Sequence, residues 1–428
     1  MIWLLGFYMW LFVHRPFEYY RELGALQVER WYMLFVLVCW LVAPGKVWPV
    51  NRMHLAVCVF LLAVAMAWGV SPFAALPECT DVVENVGKML VFYFLVVTCV
   101  RDERDLKLLV LFFIGAVGLY MAHSLLEYCH GRYEWRMGIS RMMGVDATNS
   151  NPNAFAATLV FALPLTLPLW ASRPSPTIRL ALLGFTVAAV ACVLLTGSRA
   201  GFIGLVAFGL LYLYGSNRRK AGILLVAGAA CVAALALPGE LQNRFLTLID
   251  PSVGPANAET SAQGRLEGFL SGVKLWLTSP LTGTGLSTFA ALTGREGAAH
   301  NLYGQVLSEM GLIGAAALVC LLLAFRGNAL EVRRFYRRHP DVARDLPYHV
   351  SRAVSMAVLL LLLMGWSGHI MFRYNWLWFG AFQVVTVHCV RRKAAVLARQ
   401  PRGVVRLPYL GGPHWRGAAA RYRAEPES

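Results

Sequence analysis

Ala299–Gly314 reads AHNLYGQVLSEMGLIG and heads an apolar segment that runs to about Phe325. It puts an imidazole, His300, and an amide, Asn301, at the mouth of what its length and composition make a membrane helix. A titratable group in that place is costly unless something uses or satisfies it. Two arginines stand in comparable places, Arg199 in TGSRAG and Arg265 in QGRLEG. The reading that follows is that Arg199, Arg265 and His300 meet on one side of the membrane and form an active site.

The chain around this stretch is 58% hydrophobic and only 14% charged, with a mean hydropathy of +0.56 over 428 residues. A soluble chain of this length needs far more polar surface, so the fold class is all-α and polytopic. Apolar segments of near-spanning length are read at roughly 1–13, 31–45, 53–70, 82–100, 106–125, 152–171, 177–196, 200–215, 220–237, 301–325, 350–371 and 374–390, or about twelve membrane helices. Met1–Val13 lacks a basic leader and a small-residue cleavage site, and reads as a short first span. Pro164 and Pro168 should bend the sixth segment.

The net charge of +16 is concentrated in short loops. Arg101, Arg104 and Lys107 form one cluster, Arg218, Arg219 and Lys220 a second, Arg326–Arg344 a third, and Arg391, Arg392 and Lys393 a fourth. Such clusters report topology before they report nucleic acid. Counting helices between them puts all four on one face, taken as cytoplasmic, with both termini. Four divisions follow: N-terminal helices 1–150, a core 151–325 that contains an outer loop 238–299, a basic loop and last two helices 326–393, and a basic tail 394–428. Within the outer loop, Leu266, Phe269, Leu270, Val273 and Trp276 recur at helical spacing, an amphipathic pattern over Arg265–Leu277 that suits the membrane interface. Pro280 ends it, and a turn-prone LTGTG follows.

Several chemistries find no support. The nine cysteines include no C-x-x-C; Cys79 and Cys129 fall in loops on one side, which leaves a disulfide between them open. There is no D-x-D or H-E-x-x-H for a metal, no phosphate-binding G-x-x-x-x-G-K-[ST] and no G-x-S-x-G. Metal and cofactor are both read as none. Glu309 is nine residues from His300 and so lies near the opposite face of an ideal helix, which argues for a structural role. Arg199, Arg265 and Arg141 are all placed at the outer face. Guanidinium groups there suit a phosphate or pyrophosphate, because the planar fork donates two hydrogen bonds to one anion; for any one of them, snorkelling to lipid headgroups is the plainer reading.

Three segments carry a family resemblance: LLTGSRAGFIGL (Leu194–Leu205), GRLEGFLSGVKLWLTSPLTGTGLSTF (Gly264–Phe289) and AHNLYGQVLSEMGLIG. NPNAFA (Asn151–Ala156) is a looser fourth. In order, spacing and expected sidedness they resemble the O-antigen ligase and polymerase superfamily of bacterial membrane glycosyltransferases. The resemblance implies a GT-C-like enzyme of the bacterial inner membrane with its site facing the periplasm. The implied donor is a glycan on undecaprenyl pyrophosphate, and the implied acceptor is lipid A–core, another lipid-linked glycan or a protein. Arg199 and Arg265 match the family's pyrophosphate arginines and His300 its histidine, the general base. Arg141 and Asn301 complete the candidate substrate-binding set. Lipopolysaccharide ligase is the first reading, polysaccharide polymerase the second and protein O-oligosaccharyltransferase the third. A transporter is the rival from another class; it calls for repeated halves or broken helices in matching places, and the sequence offers neither.

Overall fold

The computed structural model describes residues 1–136, 138–146, 151–214, 239–247, 257–294 and 299–399. In chain order the helices are α1 (Ile2–His14), α2 (Pro16–Tyr19), α3 (Arg21–Ala25), α4 (Val28–Val42), α5 (Arg52–Gly69), α6 (Pro77–Cys99), α7 (Glu103–Cys129), α8 (Pro152–Ala162), α9 (Thr166–Ala171), α10 (Pro176–Leu195), α11 (Arg199–Tyr214), α12 (Gly239–Leu246), α13 (Asn257–Thr278), α14 (Phe289–Thr293), α15 (Leu302–Arg338), α16 (Leu346–Gly365) and α17 (Asn375–Arg399). Among the described residues, seven units are long and apolar enough to cross a membrane by themselves: α5, α6, α7, α8 with α9, α10, α15 and α16. Shorter α1, α4 and α11 occupy three of the other expected segments, and α17 occupies the last, 374–390. The expected span 220–237 and the tail from 400 lie outside the described residues. Met1–Val390 forms one compact unit.

Lipid is as apolar as leucine, so membrane helices associate through shape and polar pins and gain little from burying apolar surface. Helix α1 packs along α7, and α5 along α15. Trp378, fully buried in α17, touches Phe12, Phe92 and Tyr374 with ring centroids 5.3, 4.2 and 4.7 Å apart. The pins are few and inside. Lys88 of α6 bonds Glu29 of α4 at 2.8 Å, and Asn328 of α15 donates to the Asn51 side chain that caps α5, at 2.9 Å. Pro164 falls where a 3-10 turn, Leu163–Leu165, replaces α-helix between α8 and α9, as a residue without an N–H requires.

The most consequential departure from the sequence reading lies in α15. Its ladder breaks at Gly311, where φ is 61° and ψ −153°. The segment that follows α13 fills the gap. Leu312 and Ile313 donate their N–H groups to the carbonyls of Pro280 and Leu281 at 2.9 and 3.1 Å. Thr284 and Gly285 donate in return to the carbonyls of Ser308 and Glu309 at 2.7 and 3.2 Å. Backbone that leaves a helix at membrane depth must be satisfied by protein, and here the PLTGTG turn does it. The turn was expected as a simple connection; it is a structural partner of the histidine-bearing helix.

Four further corrections follow. Helix α15 continues through Arg338, so much of the basic segment is helix where a loop was expected. Helix α13 begins at Asn257, well before Arg265, so Arg265 sits inside a helix and has no free helix-terminal N–H groups beside it. The all-α class needs one addition, a two-stranded antiparallel hairpin that pairs Glu134 with Arg141 and Arg136 with Ile139. Cys79 is buried and Cys129 exposed, and both are free thiols.

Candidate active site

The TGSR turn between α10 and α11 sets the first wall. Ser198 caps α11 by accepting the Gly201 N–H at 3.1 Å, and the Thr196 hydroxyl accepts from Ser198 N at 3.1 Å. These local bonds are what Ser and Thr offer at a helix start. They leave Arg199 as the first helical residue, half-buried, with Nη1 donating to Thr247 Oγ1 at 3.3 Å. The same turn anchors two other arginines through its carbonyls. Arg141 Nε donates to Thr196 O at 2.8 Å, and Arg244 Nε donates to Gly197 O at 2.6 Å.

Arg141 is only 2% exposed. It also donates to Asn153 Oδ1 at 3.2 Å and lies 3.7 Å from Glu134. It was expected to offer a fork to substrate; its fork is instead spent on tying the hairpin to α8 and to the α10–α11 turn, so it contributes charge. Arg244 rides on α12, which docks on α11 by stacking Phe245 on Phe202 with centroids 5.1 Å apart. It forms no salt bridge among the described residues, although the Glu134 carboxylate is close enough to offset part of its charge.

Helix α13 brings the next cation. It lies flat on the head of α15 because its glycines permit it: a Cβ on Gly272 would stand 2.8 Å from Gly304 Cα, and one on Gly268 would stand 2.4 Å from Ala299 O. The expected apolar face remains, with Leu266, Leu270 and Leu277 about half exposed or more on the other side. Arg265 is half-buried and makes no hydrogen bond or ion pair among the described residues.

His300 precedes α15 with a left-handed φ of 47°, a conformation that costs a non-glycine residue and recurs at functional sites. Asn301 follows as the helix cap. Its Oδ1 accepts from the N–H groups of Tyr303 and Gly304 at 2.9 and 3.0 Å, and its Nδ2 donates to Trp366 O at 3.1 Å. Asn301 is fully buried. A substrate contact was expected of it; the structure gives it the work of starting α15 and holding it to α16.

Electrostatics join these residues. Burial weakens the basicity of Arg244, the charges of Arg199, Arg136 and Arg265 weaken it further, and the Glu134 carboxylate opposes them. Burial and Arg199 do the same to Arg265. Burial lowers the His300 pKa, with Arg265 and then Arg136 adding to the effect. An arginine does not give up its proton in a protein, so its shift measures the demand for an anion. His300 keeps an accessible surface although surrounding protein depresses its basicity. Glu309 points elsewhere, buried and hydrogen-bonded to the Gln305 side chain and to the backbone N–H groups of Phe289 and Ser287.

Sequence reading missed Arg244 and His369. The signal for Arg244 was faint, a Leu241–Phe245 pair at helical spacing in ELQNRFL. The signal for His369 was stronger: an imidazole between two apolar spans, the same argument that singled out His300. The two imidazole rings stand 5.4 Å apart, tilted by 60°. Arg373 is directed inward, with Nη2 on Thr158 Oγ1 at 2.5 Å and Ala154 O at 3.4 Å.

A family model described as O-Antigen ligase matches residues 184–319. This match over residues 184–319 supports the resemblance to the O-antigen ligase superfamily. The matched segment holds Arg199, Arg244, Arg265 and His300, while Arg141, His369 and Arg373 lie outside it. No curated protein matches the chain. The match suggests a membrane enzyme of the ligase and polymerase type and implies glycan or lipid-linked substrates.

Proposed function

We propose that the chain transfers a glycan from undecaprenyl pyrophosphate to an acceptor hydroxyl, with lipid A–core as the acceptor, at the periplasmic face of the inner membrane. One observation carries the reading: Arg265 and Arg244, both desolvated and neither in a salt bridge among the described residues, lie within electrostatic range of Arg199, and the field of Arg265 reaches His300, while Glu134 offsets only part of the charge on Arg244. A buried cation without a partner is expensive, and a pyrophosphate repays that cost with charge and with bidentate geometry.

The chemistry follows from that placement. The pyrophosphate spans the terminal nitrogens of Arg199, Arg244 and Arg265. Arg141 and Arg136 add positive field without offering free forks. His300 is neutral near pH 7 because its surroundings oppose a positive charge, so it can accept the proton of the acceptor hydroxyl. The oxygen attacks the anomeric carbon while the bond to the phosphate oxygen breaks. Charge grows on the leaving pyrophosphate, where the arginines already point, and such preorganised stabilisation is commonly the largest catalytic contribution. Binding also tunes the base: a pyrophosphate on Arg265 offsets the cation that suppresses His300, so basicity rises when the donor is in place. Arginine supplies the positive charge in this scheme and no step requires a metal ion. Direct displacement inverts the anomeric configuration.

The test is product analysis in detergent with EDTA, using undecaprenyl-pyrophosphate glycan and lipid A–core. Inverted glycan on lipid A–core establishes the ligase. Lengthening of the glycan on its lipid carrier establishes the polymerase. Glycan on neither, with the donor still bound, removes the enzyme reading and favours a transporter.

A further inference from the structure

A histidine that acts as a base needs its second ring nitrogen held, because the partner of that nitrogen fixes the tautomer and the ring orientation. No carboxylate does this for His300 among the described residues. Glu309 is turned away, and the charged neighbours that reach the ring are the cations Arg265, from α13, and Arg136, from the hairpin. What faces the ring is His369, in the turn between α16 and α17. The pair His14 and His123 in the same molecule gives the scale: their centroids lie 5.0 Å apart, and Nε2 and Nδ1 are hydrogen-bonded at 2.8 Å. His300 and His369, with centroids 5.4 Å apart and rings tilted by 60°, stand at a comparable separation.

We propose that His369 is the positioning residue for His300, a neutral imidazole that accepts the hydrogen bond of the His300 ring and steadies the imidazolium formed when the acceptor is deprotonated. The proposal rests on the glycosyltransfer reading above. Its chemistry explains why a histidine stands there and not the usual carboxylate. A carboxylate beside His300 would pull its pKa upward and keep it protonated near pH 7, unable to act as a base. A neutral imidazole orients without adding charge. Surrounding protein, His300 and Arg373 from its own turn oppose a charge on His369 and lower its pKa to about 4, although the residue keeps an accessible surface. It therefore remains an acceptor at the pH where His300 takes a proton. The proton moves from the acceptor oxygen to one nitrogen of His300, the hydrogen on the other nitrogen points to His369, and the proton leaves to water when product departs.

The experiment compares His369→Ala, His369→Gln and His369→Asp with wild type and His300→Ala, as full-length protein in detergent, measuring kcat, KM and the pH profile. His369→Ala should lower kcat by about 10- to 100-fold with KM little changed. His369→Gln, which keeps an acceptor, should recover most of the loss. His369→Asp should move the acid limb of the profile to higher pH, which a residue that only packs would not do. The proposal is overturned if His369→Ala keeps the wild-type kcat, or if His369→Asp leaves the acid limb in place; the Asp and Gln variants decide the matter if the Ala variant does not fold. An active His300→Ala would overturn the role of His300 as the base and the positioning role with it, whereas no transfer by the wild type would overturn the glycosyltransfer reading.

Discussion

Gly283 and Gly311 lie in backbone contact: a Cβ on Gly311 would stand 2.4 Å from Gly283 N, and one on Gly283 would stand 2.5 Å from the Glu309 carbonyl carbon. The two positions are far apart in sequence, yet they are how the turn after α13 enters the break in α15. Because α13 carries Arg265 and α15 follows His300, this contact fixes the cation relative to the base.

Gly311→Ala should therefore reduce both stability and transfer. The left-handed φ of 61° alone strains an alanine by about 1–3 kcal/mol, and the collision with backbone adds to it. Gly87→Ala in α6, where an added Cβ meets nothing within 4 Å, should be neutral or stabilising by about 0.5–1 kcal/mol. Thermal unfolding in detergent and a transfer assay on each variant check the pair; equal behaviour would remove the turn from the account.

The pH dependence of the reaction follows from the Arg265 field. His300 must be neutral to accept a proton, so activity falls as pH drops through its pKa. That pKa lies below the usual histidine value through burial, Arg265 and Arg136. Arg265→Ala removes a cation, makes protonation easier and moves the acid limb of kcat/KM to higher pH, while kcat drops by about 10²-fold or more through lost stabilisation of the leaving group. In wild type the acid limb of kcat should sit higher than that of kcat/KM, because bound pyrophosphate offsets Arg265 only in the complex.

Arg244 offers a test on a residue that the sequence did not single out. Its Nε holds the TGSR turn through Gly197 O, and its terminal nitrogens are left for the anion. Arg244→Ala should weaken donor affinity by roughly 10- to 100-fold, the range expected for about 1.5–3 kcal/mol of charged hydrogen bonding. Arg244→Lys keeps the charge and loses the fork, so it should recover only part. A donor-binding titration distinguishes the three proteins.

Asn301 tests the opposite expectation. With Oδ1 on two N–H groups of α15, Asn301→Ala should cost about 1 kcal/mol of stability. Asn301→Asp keeps the cap and should recover most of it. Transfer per folded molecule should change little in either, whereas a residue that gripped substrate would lose turnover in both.

The sequence made much of this legible. Hydropathy placed the seven helices long and apolar enough to span, because lipid requires long apolar segments and little else. Arg199 and His300 were visible because a charged or titratable group at a helix mouth is an exception to that rule. Other features depended on contacts that hydropathy does not encode. Arg265 looked like the start of a helix because the preceding Asn257–Gly264 is polar. The break at Gly311 was hidden because its missing hydrogen bonds are replaced from the PLTGTG turn, a partner that no local pattern names. Arg141 was legible as a cation but not as a brace, since its partners Thr196, Asn153 and Glu134 come from three separate elements. His369 escaped because its ring gains meaning only beside His300.

The central claim is that the arginines hold the donor while His300 takes the proton. The most direct measurement is donor affinity together with single-turnover transfer at saturating donor, comparing wild type with His300→Ala. The account predicts an unchanged Kd with a transfer rate lower by about 10²-fold or more. Transfer at the wild-type rate, or a loss explained wholly by failure to bind the donor, would contradict it.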